Sequence, residues 1–140
     1  MEQVEQVEQS FTYLGTEIDV GLGFNKHADS IYKKAQQRLH LLRKLRSFQV
    51  RKDILTSVYK SLIESIITFS ITSWFTCLSV KSKSKLSCII SQASKITGTA
   101  QTPLSELYSH SVLRKANQIT DDPSHPLHSS FMLLPSGRRY

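Results

Sequence analysis

The sequence predicts a mainly α fold: an antiparallel helical bundle of three to five helices, with a short N-terminal β element and an irregular C-terminal tail. Apolar residues from 54 to about 67 recur at steps of one, three and four, which is the spacing of one buried helix face, and beyond Ile67 they spread around the helix axis, as in a helix buried on most sides. A second apolar stripe, with steps of three and four, runs through 28–45. About four residues link the two stretches, and helices joined by so short a link pack antiparallel.

We expect one helical domain at 11–120, between a disordered, repeat-like segment at 1–10 and an extended or disordered tail at 121–140. Aromatic and β-branched residues alternate at 11–20, which favours a strand pair broken at Gly15. The predicted helices span 27–47, 51–78 and 85–97, followed by short helices within 103–120, and a basic turn is predicted at 80–85.

Four further expectations concern the predicted helix pair. Asn25 or Asp29 caps the first helix, and Asp53 complements the N-terminal dipole of the second. Arg38 lies on the solvent side of the first helix. The apolar stripe of the first helix faces the second helix and includes Ile31, Ala35, Leu39 and Leu42.

Positive charge is concentrated in one window of the chain. The formal net charge is +7, and residues 26–53 alone hold nine basic residues against two acids. Such a field favours polyanions, so we expect weak, non-specific binding of RNA or DNA. The alternative is a helix face that is merely solvated. The predicted nucleic-acid-binding residues are Lys33, Lys34, Arg38, Arg43, Lys44 and Arg46.

Motifs for catalysis and metal binding are weak. His27-Ala28-Asp29 has the HxD form used by Fe(II) dioxygenases, but it falls at a helix start, where the helix dipole already accounts for Asp29. The sequence lacks a nucleophile elbow and a dinucleotide-binding loop. We therefore expect no catalytic residues, no metal, no cofactor and no small-molecule substrate.

The cysteines and the apolar runs indicate the cellular location of the protein. Cys77 and Cys88 lack CxxC spacing and have apolar neighbours, so we expect buried free thiols in place of a disulfide or a zinc site. We find no signal peptide, which favours an intracellular location, in the cytoplasm or nucleus. The uncharged run 65–80 is shorter than the roughly 20 residues of a membrane-spanning helix and is rich in Ser and Thr. A core helix is favoured over a membrane segment.

Four stretches occur in a recognisable order: FTYLGTEIDVGLGFNKHADSIYKKAQQRLHLLRKLRSF, YKSLIESIITFSITSWF, ASKITG and DDPSHPLHSSFMLLPSGRRY. Together they resemble the C-terminal end of the reverse transcriptase of non-LTR (LINE-type) retrotransposons, and the resemblance covers essentially residues 7–140. The resemblance implies that Phe11, Tyr13, Leu14 and Gly15 form a hairpin like the one that grips the primer. It also implies that helices 27–47 and 51–78 form the thumb, which contacts the template–primer backbone. The palm with its catalytic aspartates would lie upstream of residue 1, so the implied function is that of a catalytically inactive fragment.

A second resemblance rests on residues 11–46, YLG followed by HADSIYKKAQQRLHLLRKLR. This segment is similar to the N-terminal module of the AlkB homologue that modifies wobble uridines in tRNA. That enzyme joins a 2-oxoglutarate dioxygenase to a methyltransferase. The resemblance implies an accessory module beside catalytic domains, so oxidoreductase or methyltransferase activity is not expected of this chain.

Overall fold

The computed structural model describes residues 10–138 and confirms a mainly helical fold with a short two-stranded antiparallel element near its N-terminal end. The predicted disordered segment at 1–10 lies outside the described residues except for Ser10, and so do the last two residues of the tail. The elements are β1 Ser10–Tyr13, β2 Thr16–Asp19, α1 Asn25–Ser47, α2 Lys52–Tyr59, a π-helical segment Lys60–Glu64, α3 Ser65–Thr68, α4 Ile71–Trp74, a 3₁₀ turn Phe75–Cys77, α5 Val80–Thr97, α6 Leu104–Asp121 and a 3₁₀ turn His128–Ser130.

The two strands form a hairpin with a two-residue turn. Leu14 and Gly15 both have positive φ angles, of 47° and 81°, as a type I′ turn requires. Such a turn matches the right-handed twist of the strands it joins. In the resulting register Phe11 lies opposite Ile18, and Tyr13 lies opposite Thr16. The chain therefore folds back where the sequence predicts a break at Gly15.

The first helix, α1, begins two residues before its predicted start, and the predicted caps are wrong. Phe24 precedes the helix in a left-handed conformation (φ 52°), and no side chain caps the helix N-terminus. The Asn25 side chain is used elsewhere, because its Oδ1 accepts hydrogen bonds from the Ser79 N–H at 3.2 Å and the Ser82 hydroxyl at 2.8 Å. Asp29 pairs with Lys85, at 2.7 Å. Both side chains thus tie the start of α1 to the start of α5.

The predicted helix 51–78 is interrupted. α2, the π-helical segment and α3 form one continuous run at 52–68, here called the central helix, and the chain then breaks at Phe69 and Ser70. Ser70 is left-handed, with φ 50°, and the indole N–H of Trp74 donates to the Phe69 carbonyl at 2.9 Å. The break turns the chain so that Ile71 and Trp74 re-enter the core. Asp53 lies in the first turn of α2, as predicted.

Two later boundaries also differ from the sequence prediction. The predicted basic turn at 80–85 is the start of α5, because the Ser79 hydroxyl caps the helix by accepting from the Ser82 N–H at 3.2 Å. The short helices expected within 103–120 are one helix, α6, since no Gly or Pro separates Leu104 from Asp121. The tail after α6 contains turns and the 3₁₀ turn at His128–Ser130.

α1 lies between the central helix and α5, and its contacts fix both directions. The ring of His27, near the start of α1, contacts the ring of Trp74, which comes after the central helix. Arg38, in the second half of α1, binds the carbonyl of Leu62, which is within the central helix. α1 and the central helix are therefore antiparallel, as predicted. Contacts with α5 advance together along both helices, from Asp29–Lys85 to Arg46–Lys95. α1 and α5 are therefore parallel.

One buried cluster joins all the helices. The predicted stripe of α1 is buried, with Ala35 and Leu39 fully enclosed. It belongs to the same cluster as Tyr59 and Ile63 of the central helix and Leu86 of α5. The stripe therefore packs on two partners, whereas the sequence predicts one. α6 closes the cluster through its buried residues Leu104 and Leu107.

The run Lys52–Cys77 is long and apolar enough to cross a membrane by length and composition alone, with a mean hydropathy of 1.3 over an 18-residue window of which 28% is buried. Its inner face packs in the cluster just described, and the core helix of a soluble protein satisfies the same criterion. The run is therefore weak evidence for a membrane span, and the absence of a membrane partner stays a prediction.

Candidate nucleic-acid interface

A stripe of lysines follows the outer face of α1. Lys26, Lys33 and Lys44 are separated by seven and eleven residues, which are about two and three helical turns, so they share one face. All three are exposed, and the stripe lies opposite the buried side of the helix. At about 1.5 Å per residue it extends over roughly 27 Å. We call Lys26, Lys33 and Lys44 the lysine stripe.

The predicted binding arginines have partners within the fold. The guanidinium of Arg38, which is half-buried, donates to the Leu62 carbonyl inside the π-helical segment. Arg43 donates to the Gln92 side chain at 3.0 Å. Arg46 donates to the Lys95 carbonyl and, at 2.9 Å, to the Ile96 carbonyl, at the C-terminal end of α5. Carbonyls in the last turn of a helix have no intrahelical donor and favour a cation.

The six predicted residues therefore fall into two groups. Lys33, Lys34 and Lys44 are exposed and have no hydrogen-bond or ion-pair partner among residues 10–138. The arginines join α1 to the central helix and to α5. The expected placement of Arg38 on the solvent side is wrong, because helical spacing alone does not show that a neighbouring helix reaches its guanidinium. The binding role of all six residues stays a prediction.

The hairpin residues compared with a primer grip lie beside the basic helix α1. Phe11, Tyr13 and Leu14 are exposed, and Gly15 lies over the ring of Phe69. A Cβ at Gly15 would come within 3.5 Å of that ring. Between the hairpin, α1 and α3 is a cleft of about 310 Å³, and Lys34 lies on its wall. The hairpin and the basic helix thus border one groove.

The HxD residues do not converge on a common point. His27 is buried, its Nδ1 accepts from the Glu17 backbone N–H at 3.2 Å, and its ring meets Trp74 edge-on at 5.4 Å. Burial lowers the pKa of His27, the nearby Glu17 opposes that shift, and Lys34 adds to it. Asp29 is bound to Lys85. Within residues 10–138 we find no cluster of three or more His, Cys, Asp or Glu side chains that could hold a metal ion.

The cysteines are free thiols, but the prediction that they are buried is wrong. Cys77 and Cys88 are both exposed. In the 3₁₀ turn and its flanks, Trp74 and Leu78 take the inward positions, and on α5 the inward positions adjoining Cys88 belong to Leu86 and Ile89. Apolar neighbours in sequence thus leave both thiols on the solvent side.

One family match was found, and it falls on the helix pair. Residues 24–65 match the N-terminal region of alkylated DNA repair protein alkB homolog 8. The matched stretch covers α1, α2 and the π-helical segment and is less than a third of the chain. This match supports the similarity to the AlkB homologue. The matched stretch begins and ends further along the chain than the stretch 11–46 on which the sequence comparison rested. No curated protein and no solved structure matches. The resemblance to reverse transcriptases stays a prediction.

Proposed function

We propose that this chain is a non-catalytic helical module that binds nucleic acid through the outer face of α1. The observation that carries the proposal is the split between the two kinds of cation on that helix. Lys33, Lys34 and Lys44 are exposed and bind no partner within residues 10–138, and Lys26 makes a 3.5 Å hydrogen bond to the Ser10 hydroxyl at the surface. The arginines instead bind carbonyl and amide groups of neighbouring helices. Lysine ammonium groups that face solvent are free to neutralise phosphates.

Binding of this kind is weak and independent of base sequence. Lysine is a compact point charge that pairs with phosphate, and base recognition needs side chains fixed against base edges in a groove. Between the lysines, the outer face of α1 presents the exposed side chains of Gln37 and His40. Neither has a hydrogen-bond partner within the described part of the chain that would hold it in place for base recognition. Affinity therefore comes from counterion release and falls steeply with salt.

The family match supports an accessory role for this surface. The stretch similar to the AlkB homologue, 24–65, contains the whole of α1 and most of the central helix. In this proposal the module adds electrostatic affinity for nucleic acid to a larger enzyme, a 2-oxoglutarate dioxygenase and tRNA methyltransferase, whose catalytic domains do the chemistry.

A second proposal assigns the same binding surface to a different parent protein. A hairpin followed directly by a helix pair is the order expected of a reverse-transcriptase primer grip and thumb, and the described elements occur in that order. Here the chain is a thumb-like remnant without a palm. Contact with a nucleic-acid backbone is common to both proposals, so one binding experiment serves them.

The experiment measures binding of labelled RNA and DNA at several salt concentrations. The triple variant Lys33→Gln, Lys34→Gln, Lys44→Gln should bind more weakly. On duplex DNA, its slope of log affinity against log salt should be shallower by about 0.9 for each phosphate that the variant no longer neutralises. The matched control replaces three exposed lysines elsewhere, Lys60, Lys81 and Lys95, and has the same net charge. Equal weakening in both variants would show that only net charge matters, and salt-independent affinity would exclude the proposal.

Absence of catalysis is part of the same proposal. The structure holds His27 and Asp29 in separate contacts, with Glu17 and with Lys85. Purified protein supplied with Fe(II), 2-oxoglutarate and oligonucleotide should therefore form no succinate above a buffer control. Succinate formation that disappears in an Asp29→Ala variant would contradict this.

A further inference from the structure

A small polar pocket lies between α6 and the break in the chain after the central helix. It has a volume of about 140 Å³. Pockets that take drug-sized organic ligands measure roughly 300–1,000 Å³, so this one suits a small ion or a single charged group of a larger molecule.

One wall of the pocket is a polar stripe on α6. Ser111, Arg114, Lys115 and Gln118 line it, and their spacing of three, four and seven residues puts them on one helix face. The next residue on that face toward the C-terminus, Asp121, is not among the residues that line it. The guanidinium of Arg114 and the ammonium of Lys115 have no ion-pair partner within residues 10–138. This wall therefore supplies two charged donors whose hydrogen-bonding capacity is unused.

The opposite wall is the break itself. Thr68, Ser70 and Thr72 contribute hydroxyl groups to the pocket. The Thr68 hydroxyl already donates to the Glu64 carbonyl, at 2.9 Å, whereas no such bond occupies those of Ser70 and Thr72 in the described structure. Ser70 adopts a left-handed backbone, with φ 50°, which is uncommon for a residue other than glycine.

The chemistry of these walls selects an anion. No carboxylate lines the pocket, so a metal cation would find two positive charges and none of the acidic oxygens it prefers. Guanidinium, ammonium and hydroxyl donors together match the oxygens of a tetrahedral oxyanion, and arginine binds such groups through two parallel N–H donors. We propose that this pocket binds a phosphate group. The site is separate from the lysine stripe on α1 and does not depend on the function proposed above.

The test titrates the full, ¹⁵N-labelled chain with inorganic phosphate at constant ionic strength. Amide signals of 68–72 and 111–118 should shift together and saturate with a single dissociation constant, while acetate at equal ionic strength leaves them in place. Absence of saturable shifts in these two stretches, or equal shifts with acetate, would overturn the proposal. This mapping uses the unmodified protein and so does not depend on any variant folding.

A charge-matched pair of variants tests the residues. Arg114→Gln with Lys115→Gln should raise the dissociation constant for phosphate by at least about tenfold, because two charge-assisted hydrogen-bond donors are removed. Lys60→Gln with Lys81→Gln removes the same charge at exposed positions outside both the pocket and the lysine stripe, and should leave the constant unchanged. Equal weakening in both pairs would show a general charge effect and contradict the pocket.

Two further ligands identify the source of the phosphate. A short oligonucleotide with a 5′-phosphate is compared with the same strand carrying a 5′-hydroxyl. Tighter binding of the phosphorylated strand that disappears in the Arg114/Lys115 variant would assign the pocket to a nucleic-acid terminus. Saturable binding of inorganic phosphate without such a difference would assign it to a small free phosphate.

Discussion

At the scale of single residues, the basic helix α1 contains two kinds of cation with different roles. Arginine has a planar fork of donors that can satisfy carbonyl oxygens of neighbouring helices, and lysine has a flexible, strongly hydrated ammonium group. Arg38 and Arg46 bind carbonyls of the central helix and of α5, whereas Lys33 and Lys44 remain in solvent. An experiment that removed all positive charge from α1 would therefore confuse stability with binding.

The role of Arg38 leads to a stability prediction. Arg38→Ala removes the donor to the Leu62 carbonyl in the π-helical segment and should cost about 1.5–3 kcal/mol of unfolding free energy, as expected for a hydrogen bond to a charged group. Lys33→Ala, at an exposed position of the same helix, should change it by less than about 0.5 kcal/mol. Chemical denaturation of both variants provides the comparison. Equal stability of the two variants would mean that water replaces the hydrogen bond from Arg38 to the Leu62 carbonyl without loss of stability.

The buried imidazole of His27 makes stability depend on pH. Its pKa in the folded protein is lowered from the ordinary value of 6.5, chiefly by burial, so the unfolded chain binds a proton more readily than the folded one. The stabilising effect of the neutral ring is therefore complete above pH 6.5 and is lost as the pH falls below that value toward the lowered pKa.

Thermal melts between pH 8 and pH 5 measure this effect. The melting temperature of the parent protein should fall across that interval, and His27→Gln, which cannot take up the proton, should show a smaller fall. His40→Gln, at an exposed position, serves as the control and should follow the parent. An identical pH dependence in the parent and His27→Gln would assign the acid sensitivity to other groups.

At the scale of elements, the helices that follow a regular apolar stripe could be predicted, and their interruptions could not. α1 has buried residues at steps of three and four from Ala28 to Leu42 and lies within two residues of its predicted start. The break at Phe69 and Ser70 contains neither Gly nor Pro, so no residue at the break marks it in the sequence, and the hydrogen bond from the Trp74 indole to the Phe69 carbonyl is visible only in the structure. The start of α5 is not visible in the sequence, because its lysines resemble a turn until Ser79 is seen to cap them.

The candidate site could likewise be predicted only in part. Helical spacing located the basic face of α1, since charge and periodicity are both visible in the sequence. It did not show that Arg38, Arg43 and Arg46 are bound by other helices, because those partners lie between 24 and 50 residues further along the chain. The polar pocket beside α6 depends on the break after the central helix, so the sequence did not indicate it either.

Packing of the α1 stripe can be tested at one position. Leu39 is fully buried, and Leu39→Ala should cost about 2–5 kcal/mol, a large part of the roughly 5–15 kcal/mol that stabilises a domain. Leu41, two residues away, is 45% exposed, and Leu41→Ala should cost less than about 1 kcal/mol. Denaturant unfolding separates the two cases. A Leu39→Ala variant as stable as the parent would show that α1 does not pack as described.

At the scale of the whole molecule, the helix pair and α5 share one core. The family match ends at residue 65, yet α1 is bound to α5 by Asp29–Lys85 at one end and by Arg46 at the other. Between them, the buried side of α1 lies in one cluster with the buried residues of α5, which are Leu86, Ile89, Ile90, Ala93 and Ile96. The matched stretch is thus a part of this folded unit.

The last prediction follows from that shared core. A peptide of residues 24–65 lacks all of α5, so its α1 stripe keeps one of two packing partners, and most of the stability of a helix in a protein comes from packing of its apolar face. We expect it to show partial helicity and no cooperative melt by far-UV circular dichroism, whereas residues 10–138 melt cooperatively. Residues 24–98 restore α5 and should recover a cooperative transition, and melts at several concentrations distinguish folding from self-association. A cooperative, concentration-independent melt of 24–65 near the temperature of the longer chain would show that the helix pair folds alone and that its contacts with α5 add little.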